Sequence, residues 1–308
     1  MNLNHHLATF AQFKNLEILA NQIVEGYISG KHKSPFHGFS AEFAEHKIYN
    51  VGESTKSIDW KLFAKTDRFY TKKYEEETNL RCHIIIDNSS SMHFPKLEAN
   101  EGFEKTKIGF SVLATAVLMN LLKKQRDAVG LSLFSEGLDF YAPEKGSDRH
   151  HANLLKQLEA LVQKPPIEKK TATVPFLHLI AEKIHRRSMI VLFTDMFQNE
   201  DLDDLFDALT HLKHQKNKVV IFHVHDKASE IDLEFSNEPR KFIDLETGEH
   251  VTLFADQIQK EYQTQIEVFF KKIKWACLQH RITYVPVNVS SNFDEIMTTY
   301  LVEKQRFS

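Results

Sequence analysis

A short apolar run that ends at once in a carboxylate and hydroxyls constrains this chain more than any other stretch. Cys82 to Ile86 is mainly apolar and β-branched at Ile84, Ile85 and Ile86, and it empties into Asp87-Asn88-Ser89-Ser90-Ser91. A strand with no polar alternation is buried on both faces of a sheet, which requires helices on either side. After a polar loop comes a long helix-period stretch, Phe103 to Lys124. Strand, polar loop and helix in that order put oxygen donors at the carboxyl edge of a sheet, where open α/β folds bind ligands.

The same rhythm continues downstream. A strand is expected over Ala128 to Phe134, joined by Glu136-Gly137 in a hairpin-like turn to Leu138 to Tyr141. Helices follow at His151 to Val162, before Pro165-Pro166, and at Val174 to Ile184. The strand Met189 to Thr194 is again almost continuously apolar; helix Asp201 to His214 and strand Lys218 to His225 come next. Alternation on both sides of Gly248 predicts a small antiparallel insertion near 231–254. Helix Ala255 to Gln279, strand Ile282 to Val289 and a helix from Phe293 complete the series. The fold class is α/β: a doubly wound, mostly parallel sheet flanked by helices, Rossmann-like in its winding.

Residues 1–80 have another texture. Leu7 to Ile28 carries apolar residues at helical spacing, and Ser34 to Asn79 interleaves Gly, Ser, charges and aromatics. That stretch is too aromatic for a disordered linker. It reads as an irregular extension tied down by Phe36, Phe39, Phe43, Tyr49, Trp60 and Phe63, ahead of the main domain at 81–308. Gly26 to Lys31 falls short of a phosphate loop in its spacing, and His32 stands where a hydroxyl residue belongs.

Asp87-x-Ser89-x-Ser91 suits a hard divalent cation, Mg²⁺ or Mn²⁺, because such ions prefer oxygen donors. Capping of a turn or helix is the competing account, since Asp, Asn and Ser satisfy free backbone N–H groups. Asp195 adds weight to the metal, because it directly follows the apolar strand Met189 to Thr194 and so closes a second strand with a carboxylate. A further hydroxyl is available in Lys170-Thr171-Ala172-Thr173, just before the helix that feeds that strand.

These residues resemble the metal-ion-dependent adhesion site of von Willebrand factor A domains. The upstream segment is similar to a bacterial domain of unknown function that carries such a domain: Tyr49-Asn50-Val51-Gly52-Glu53, Ser57-Ile58-Asp59-Trp60, Ala64-Lys65 and Tyr74-Glu75-Glu76-Glu77. Asp127-x-Val129-Gly130-Leu131 and Asp244-x-Glu246-x-Gly248 also look like features of that family. The resemblance covers the chain from about Phe36 to its end. It implies a non-enzymatic, metal-dependent protein-interaction module associated with MoxR-type AAA+ ATPases in assembly or stress responses. The implied metal ligands are Asp87, Ser89, Ser91, Thr171 and Asp195, with a carboxylate of the protein partner completing the shell. Thr171 follows Lys169-Lys170 where the family usually has Gly-Gly, which keeps Thr173 open as the alternative. Lys56 and Lys65 stand where the family has arginine, keeping the charge but not a bidentate contact.

The enzyme alternative is a metal-dependent phosphohydrolase or phosphotransferase using Asp87 as nucleophile. Such enzymes want a second acid two residues on, and Ser89 occupies that place. No Gly-x-Ser-x-Gly elbow is present either. A net charge of −3 gives no reason to propose nucleic acid as partner. Two distant cysteines fit a reducing compartment. No signal peptide is read at the start, and no apolar stretch approaches the ~20 residues of a spanning helix. A soluble, cytoplasmic protein is expected. His223 and His225 share one strand face and are read as core or strand-end histidines rather than a metal pair. Asp59 is expected to bond local N–H groups beside an anchoring Trp60.

Overall fold

The structure, a computed structural model, describes residues 15–29, 43–49, 58–74, 80–97, 101–163, 169–196, 201–235 and 238–306. Two compact units divide the chain: His37–Leu80, and Met1–Phe36 together with Arg81–Ser308. Helix α1 (Leu16–Ser29) belongs to the larger unit. Asn15 caps it, accepting from the N–H groups of Glu17 and Ile18 at 3.0 and 3.2 Å. Leu16, Leu19, Ala20, Ile23 and Val24 form its buried stripe. The portion of this helix expected before residue 15 lies outside the described residues.

The smaller unit pairs β1 (Phe43–Ile48) antiparallel with β2 (Tyr70–Tyr74), and α2 (Trp60–Thr66) lies between them in sequence. Asp59 caps α2, its Oδ1 accepting from the N–H groups of Lys61 and Leu62 at 3.0 and 3.2 Å. That accounts for Asp59 structurally. Trp60 departs from the expected anchor: it is 59% exposed, and its ring meets Phe63 and Phe69 edge-on. The stacked pair Phe63 and Phe69, with centroids 4.4 Å apart, forms the centre of that cluster. Phe36, Phe39 and most of the Tyr49–Glu53 motif lie outside the described residues.

The larger unit continues with β3 (Arg81–Asp87), α3 (Lys107–Lys124), β4 (Ala128–Phe134), β5 (Leu138–Lys145) and α4 (Asp148–Gln163). Next come α5 (Thr173–Ala181), β6 (Met189–Thr194), α6 (Leu202–His214) and β7 (Lys218–His225). A hairpin of β8 (Pro239–Ile243) and β9 (His250–Phe254) follows, then α7 (Ala255–Gln279), β10 (Thr283–Asn288) and α8 (Phe293–Arg306). Six strands form one sheet in the order β10-β7-β6-β3-β4-β5, with only β5 antiparallel. The expected doubly wound, mostly parallel α/β architecture is what the chain adopts.

Register sets what happens at the sheet edge. Ile86 of β3 lies between Leu133 of β4 and Phe193 of β6. The chain leaves β3 toward β4 and β5, then returns on the other side through β6 and β7. β3 and β6 therefore flank the reversal of winding direction, the place where such sheets leave a crevice beyond their carboxyl ends. Asp87 ends one of these strands and Asp195 follows the other.

The helix expected from Phe103 begins at Lys107 instead. Phe103–Lys105 forms a 3-10 turn, and the Thr106 hydroxyl then accepts from the Gly109 N–H at 2.9 Å, so the cap sets the start. From Ile108 to Leu122 every residue of α3 is buried, as in a helix with no solvent face. On the other side of the sheet, Phe176, Leu177 and Ile180 of α5 pack with Leu205, Leu209 and Leu212 of α6.

Gly130 has a physical reason for being glycine. A Cβ there would stand 2.5 Å from His83 Nδ1 and 2.9 Å from the Ala142 carbonyl oxygen. The buried His83 ring cannot retreat, because it bridges Glu144 Oε1 and the Ser132 hydroxyl, each at 2.7 Å. Gly130→Ala is expected to lower stability by about 1–3 kcal/mol through overpacking. A lowered urea midpoint at unchanged slope would register it; an unmoved midpoint would show that the His83 bridge yields.

Candidate metal centre

Asp87 is fully buried at the end of β3. Its Oδ1 accepts from the Ser89 N–H at 3.0 Å, and its Oδ2 from the Thr194 hydroxyl at 3.0 Å. No cation pairs with it among the described residues. Burial first, then the nearby charge of Asp195, push the Asp87 carboxyl up to about 7 against the pull of those hydrogen bonds.

Past Asp87 the chain turns out of the sheet and is gripped on both sides. The Asn88 N–H donates to the Phe134 carbonyl at 2.7 Å. Ser90 and Lys169 bond reciprocally: the Ser90 N–H donates to the Lys169 carbonyl at 3.0 Å, and the Lys169 N–H to the Ser90 hydroxyl at 2.8 Å. The Ala172 N–H donates to the Ser135 carbonyl at 2.9 Å. Thr171 is thereby fixed between two anchored neighbours. The two lysines before it do not crowd it out, since Lys169 sends its ammonium to Asp139, at 3.2 Å.

The hydroxyls of Ser89 and Ser91 lie 3.0 Å apart. The Ser91 hydroxyl and the Thr171 hydroxyl both donate to Glu246 Oε1, at 3.1 and 2.9 Å, while the Thr171 N–H donates to Glu246 Oε2 at 3.1 Å. Asp87, Ser89, Ser91 and Thr171 are thus brought together at one end of the sheet. Thr173, the alternative hydroxyl, opens α5 and is buried there.

Asp195 reaches the same edge but is differently engaged. Its Oδ2 accepts from the ammonium of Lys107 at 2.9 Å, and that ammonium also donates to Glu230 Oε1 at 2.5 Å. Lys107 is fully buried in the first turn of α3. Burial works against its charged form, but the two carboxylates outweigh that and hold its pKa above the usual value. Asp195 therefore stands near Asp87 with its charge answered by the Lys107 ammonium. His223 steadies the Asp195 backbone: its Nε2–H donates to the Asp195 carbonyl at 2.7 Å, and its Nδ1 accepts from the Tyr284 hydroxyl at 2.7 Å. Burial pushes His223 down to about 3, the neutral core histidine that the sequence suggests.

The donor set is all oxygen, which fits a hard divalent ion and not a soft one. Among the described residues no three His, Cys, Asp or Glu side chains gather as a metal cluster, so an ion held here would draw most of its protein ligands from hydroxyls. Sequence reasoning missed Thr194, Lys107 and Glu230. Only Lys107 leaves a local sign, as the charge that opens the otherwise apolar first turns of α3. Glu246 was visible inside Asp244-x-Glu246-x-Gly248, with no role attached.

A family model described as "Protein of unknown function DUF58" matches residues 45–269. The uncharacterized proteins Rv1480 of Mycobacterium tuberculosis and Mb1516 of Mycobacterium bovis are each 20% identical over 185 residues, 60% of this chain. That alignment spans 56% of each relative, little more than half its length. The conserved hypothetical protein BatB from Bacteroides thetaiotaomicron is a similar solved structure, with TM-score 0.45, 16% identity, and coverage of 75% of this chain and 100% of that one. A von Willebrand factor type A structure from Catenulispora acidiphila has TM-score 0.34 and 15% identity, covering 51% of this chain and 34% of that one. Among the described residues no helix is long and apolar enough to cross a membrane.

Proposed function

The chain belongs to the DUF58 family, and from that footing we propose that it is a non-enzymatic, metal-dependent protein-interaction module. Its site binds an acidic group of a protein partner, and a MoxR-type AAA+ ATPase in the cytoplasm is the partner the reading favours. The observation that carries the proposal is the meeting of a buried Asp87, which pairs with no cation among the described residues, with the hydroxyls of Ser89, Ser91 and Thr171.

Asp87 would hold Mg²⁺ or Mn²⁺ with its carboxylate, and Ser89, Ser91 and Thr171 would offer hydroxyl oxygens. When bound, the ion supplies the positive charge that draws an outside carboxylate. Asp195 stays behind this ring, paired with Lys107, and sets the negative field around Asp87. Thr194 orients Asp87 by donating to its Oδ2. The phosphotransfer alternative gains no support, because Ser89 supplies no second acid two residues after Asp87.

Calorimetric titration of Mg²⁺ and Mn²⁺ into the wild type should give a binding heat that Asp87→Ala loses, with affinity at least about tenfold weaker as expected for removing a hard-ion ligand. Circular dichroism of the variant checks that the fold survives. Equal heats in both proteins would remove the site from consideration.

A further inference from the structure

The hairpin β8–β9 stands outside the six-stranded sheet, yet its turn reaches the candidate site. That turn is built to present one side chain. Asp244 Oδ1 accepts from the N–H groups of Glu246 and Thr247 at 2.8 and 3.3 Å, and the Thr247 hydroxyl donates to Asp244 Oδ2 at 2.8 Å. The Gly248 N–H donates back to the Asp244 carbonyl at 2.9 Å, with Gly248 at φ 73°, a left-handed conformation that suits glycine. The motif Asp244-x-Glu246-x-Gly248 is thus one device: Asp244 folds the turn, Gly248 closes it, and Glu246 projects from it.

Both oxygens of that carboxylate are used. Ser91 and Thr171 hydroxyls meet one, and the Thr171 N–H meets the other. Ser91 and Thr171 are among the residues assigned to the ion above, so the Glu246 carboxylate lies against the position an outside carboxylate would approach. The hairpin's other contacts include Phe242, edge-on to Phe235 with centroids 5.5 Å apart, and Arg240 over the same ring; apart from Phe242 and Leu253, every residue of β8 and β9 is exposed. An arm with so little buried apolar surface is displaceable, because burial is what would otherwise hold it.

Resting on the docking function above, we propose that Glu246 is an internal ligand that holds the docking position in cis, so that the partner's acidic group binds by displacing the β8–β9 arm. Occupation by the arm lowers the fraction of molecules competent to dock, and apparent affinity falls by that fraction. The partner's carboxylate then takes the place of Glu246 as the turn swings out. No covalent change is involved.

The test uses the full chain as wild type, Glu246→Ala and Glu246→Gln. Mg²⁺ is titrated calorimetrically, and a fluorescein-labelled tetraglutamate peptide is then titrated at saturating Mg²⁺. The expected result is unchanged Mg²⁺ affinity with peptide binding at least about tenfold tighter in both variants. Equal peptide affinity in wild type and variants, or no peptide binding in any of them, overturns the arm. Mg²⁺ affinity that falls in step with the loss of Glu246 also overturns it, by making Glu246 a metal ligand.

Absence of a Mg²⁺ heat in the wild type is a failure of the docking function instead. In that event the arm is read without metal, by hydrogen exchange at the Thr171 amide. Faster exchange in Glu246→Ala supports the contact, and unchanged protection overturns it.

Discussion

Lys107→Met is expected to cost about 3–5 kcal/mol of folding stability, the range found when one member of a buried ion pair is removed. Lys107 is fully buried, and its ammonium is shared between Asp195 and Glu230. Methionine fills nearly the same volume, so the loss reports on two stranded carboxylates and hardly on a cavity. Urea denaturation of the variant measures it. The double variant Lys107→Met/Asp195→Leu should recover a sizeable part, because removing both members of a pair leaves less uncompensated charge. A single variant as stable as wild type would mean that the ammonium is not locked between these acids.

Gly109→Ala is the second large effect, and its sign is diagnostic. In an ordinary helix interior alanine is favoured over glycine by about 1 kcal/mol. Here a Cβ would stand 1.8 Å from the Phe103 carbonyl oxygen, 2.6 Å from its carbonyl carbon and 2.7 Å from the Thr106 hydroxyl. Two of these atoms are backbone and cannot rotate away, so the 3-10 turn has to move. The Thr106 cap on the Gly109 N–H breaks with it. Strain and a lost cap together put the expected destabilisation at about 2–4 kcal/mol. Lys107 lies inside the displaced segment, so the Asp195 pair is disturbed as well. A stabilised variant would show that the turn does not close over Gly109.

Much of this architecture is written locally in the chain. The strands Ala128–Phe134, Met189–Thr194 and Lys218–His225 fall where continuous apolar character places them, since residues buried on both faces leave no polar interruption. Once those strands are neighbours, Asp87 and Asp195 must share an edge, and Thr171 must enter beside them. What the sequence does not carry is pairing between distant elements. Lys107 meets Glu230 across 123 residues, and Ser91 meets Glu246 across 155, with no spacing rule linking them. The apolar period runs from Phe103 into α3 and suggests an earlier start, whereas the Thr106 cap decides where helical hydrogen bonding begins. The chemistry of Trp60 suggests an anchor, but aromatic character alone does not say which face a ring turns to solvent.

The β8–β9 excursion leaves the ladder after β7 and returns to it only through α7 and β10, so no rung of the six-stranded sheet depends on its length. The arm and the scaffold are consequently separable parts of the fold. Insertions or deletions between residues 238 and 254 are expected to change how readily Glu246 leaves Ser91 and Thr171, while the strand order and register of the sheet stay the same.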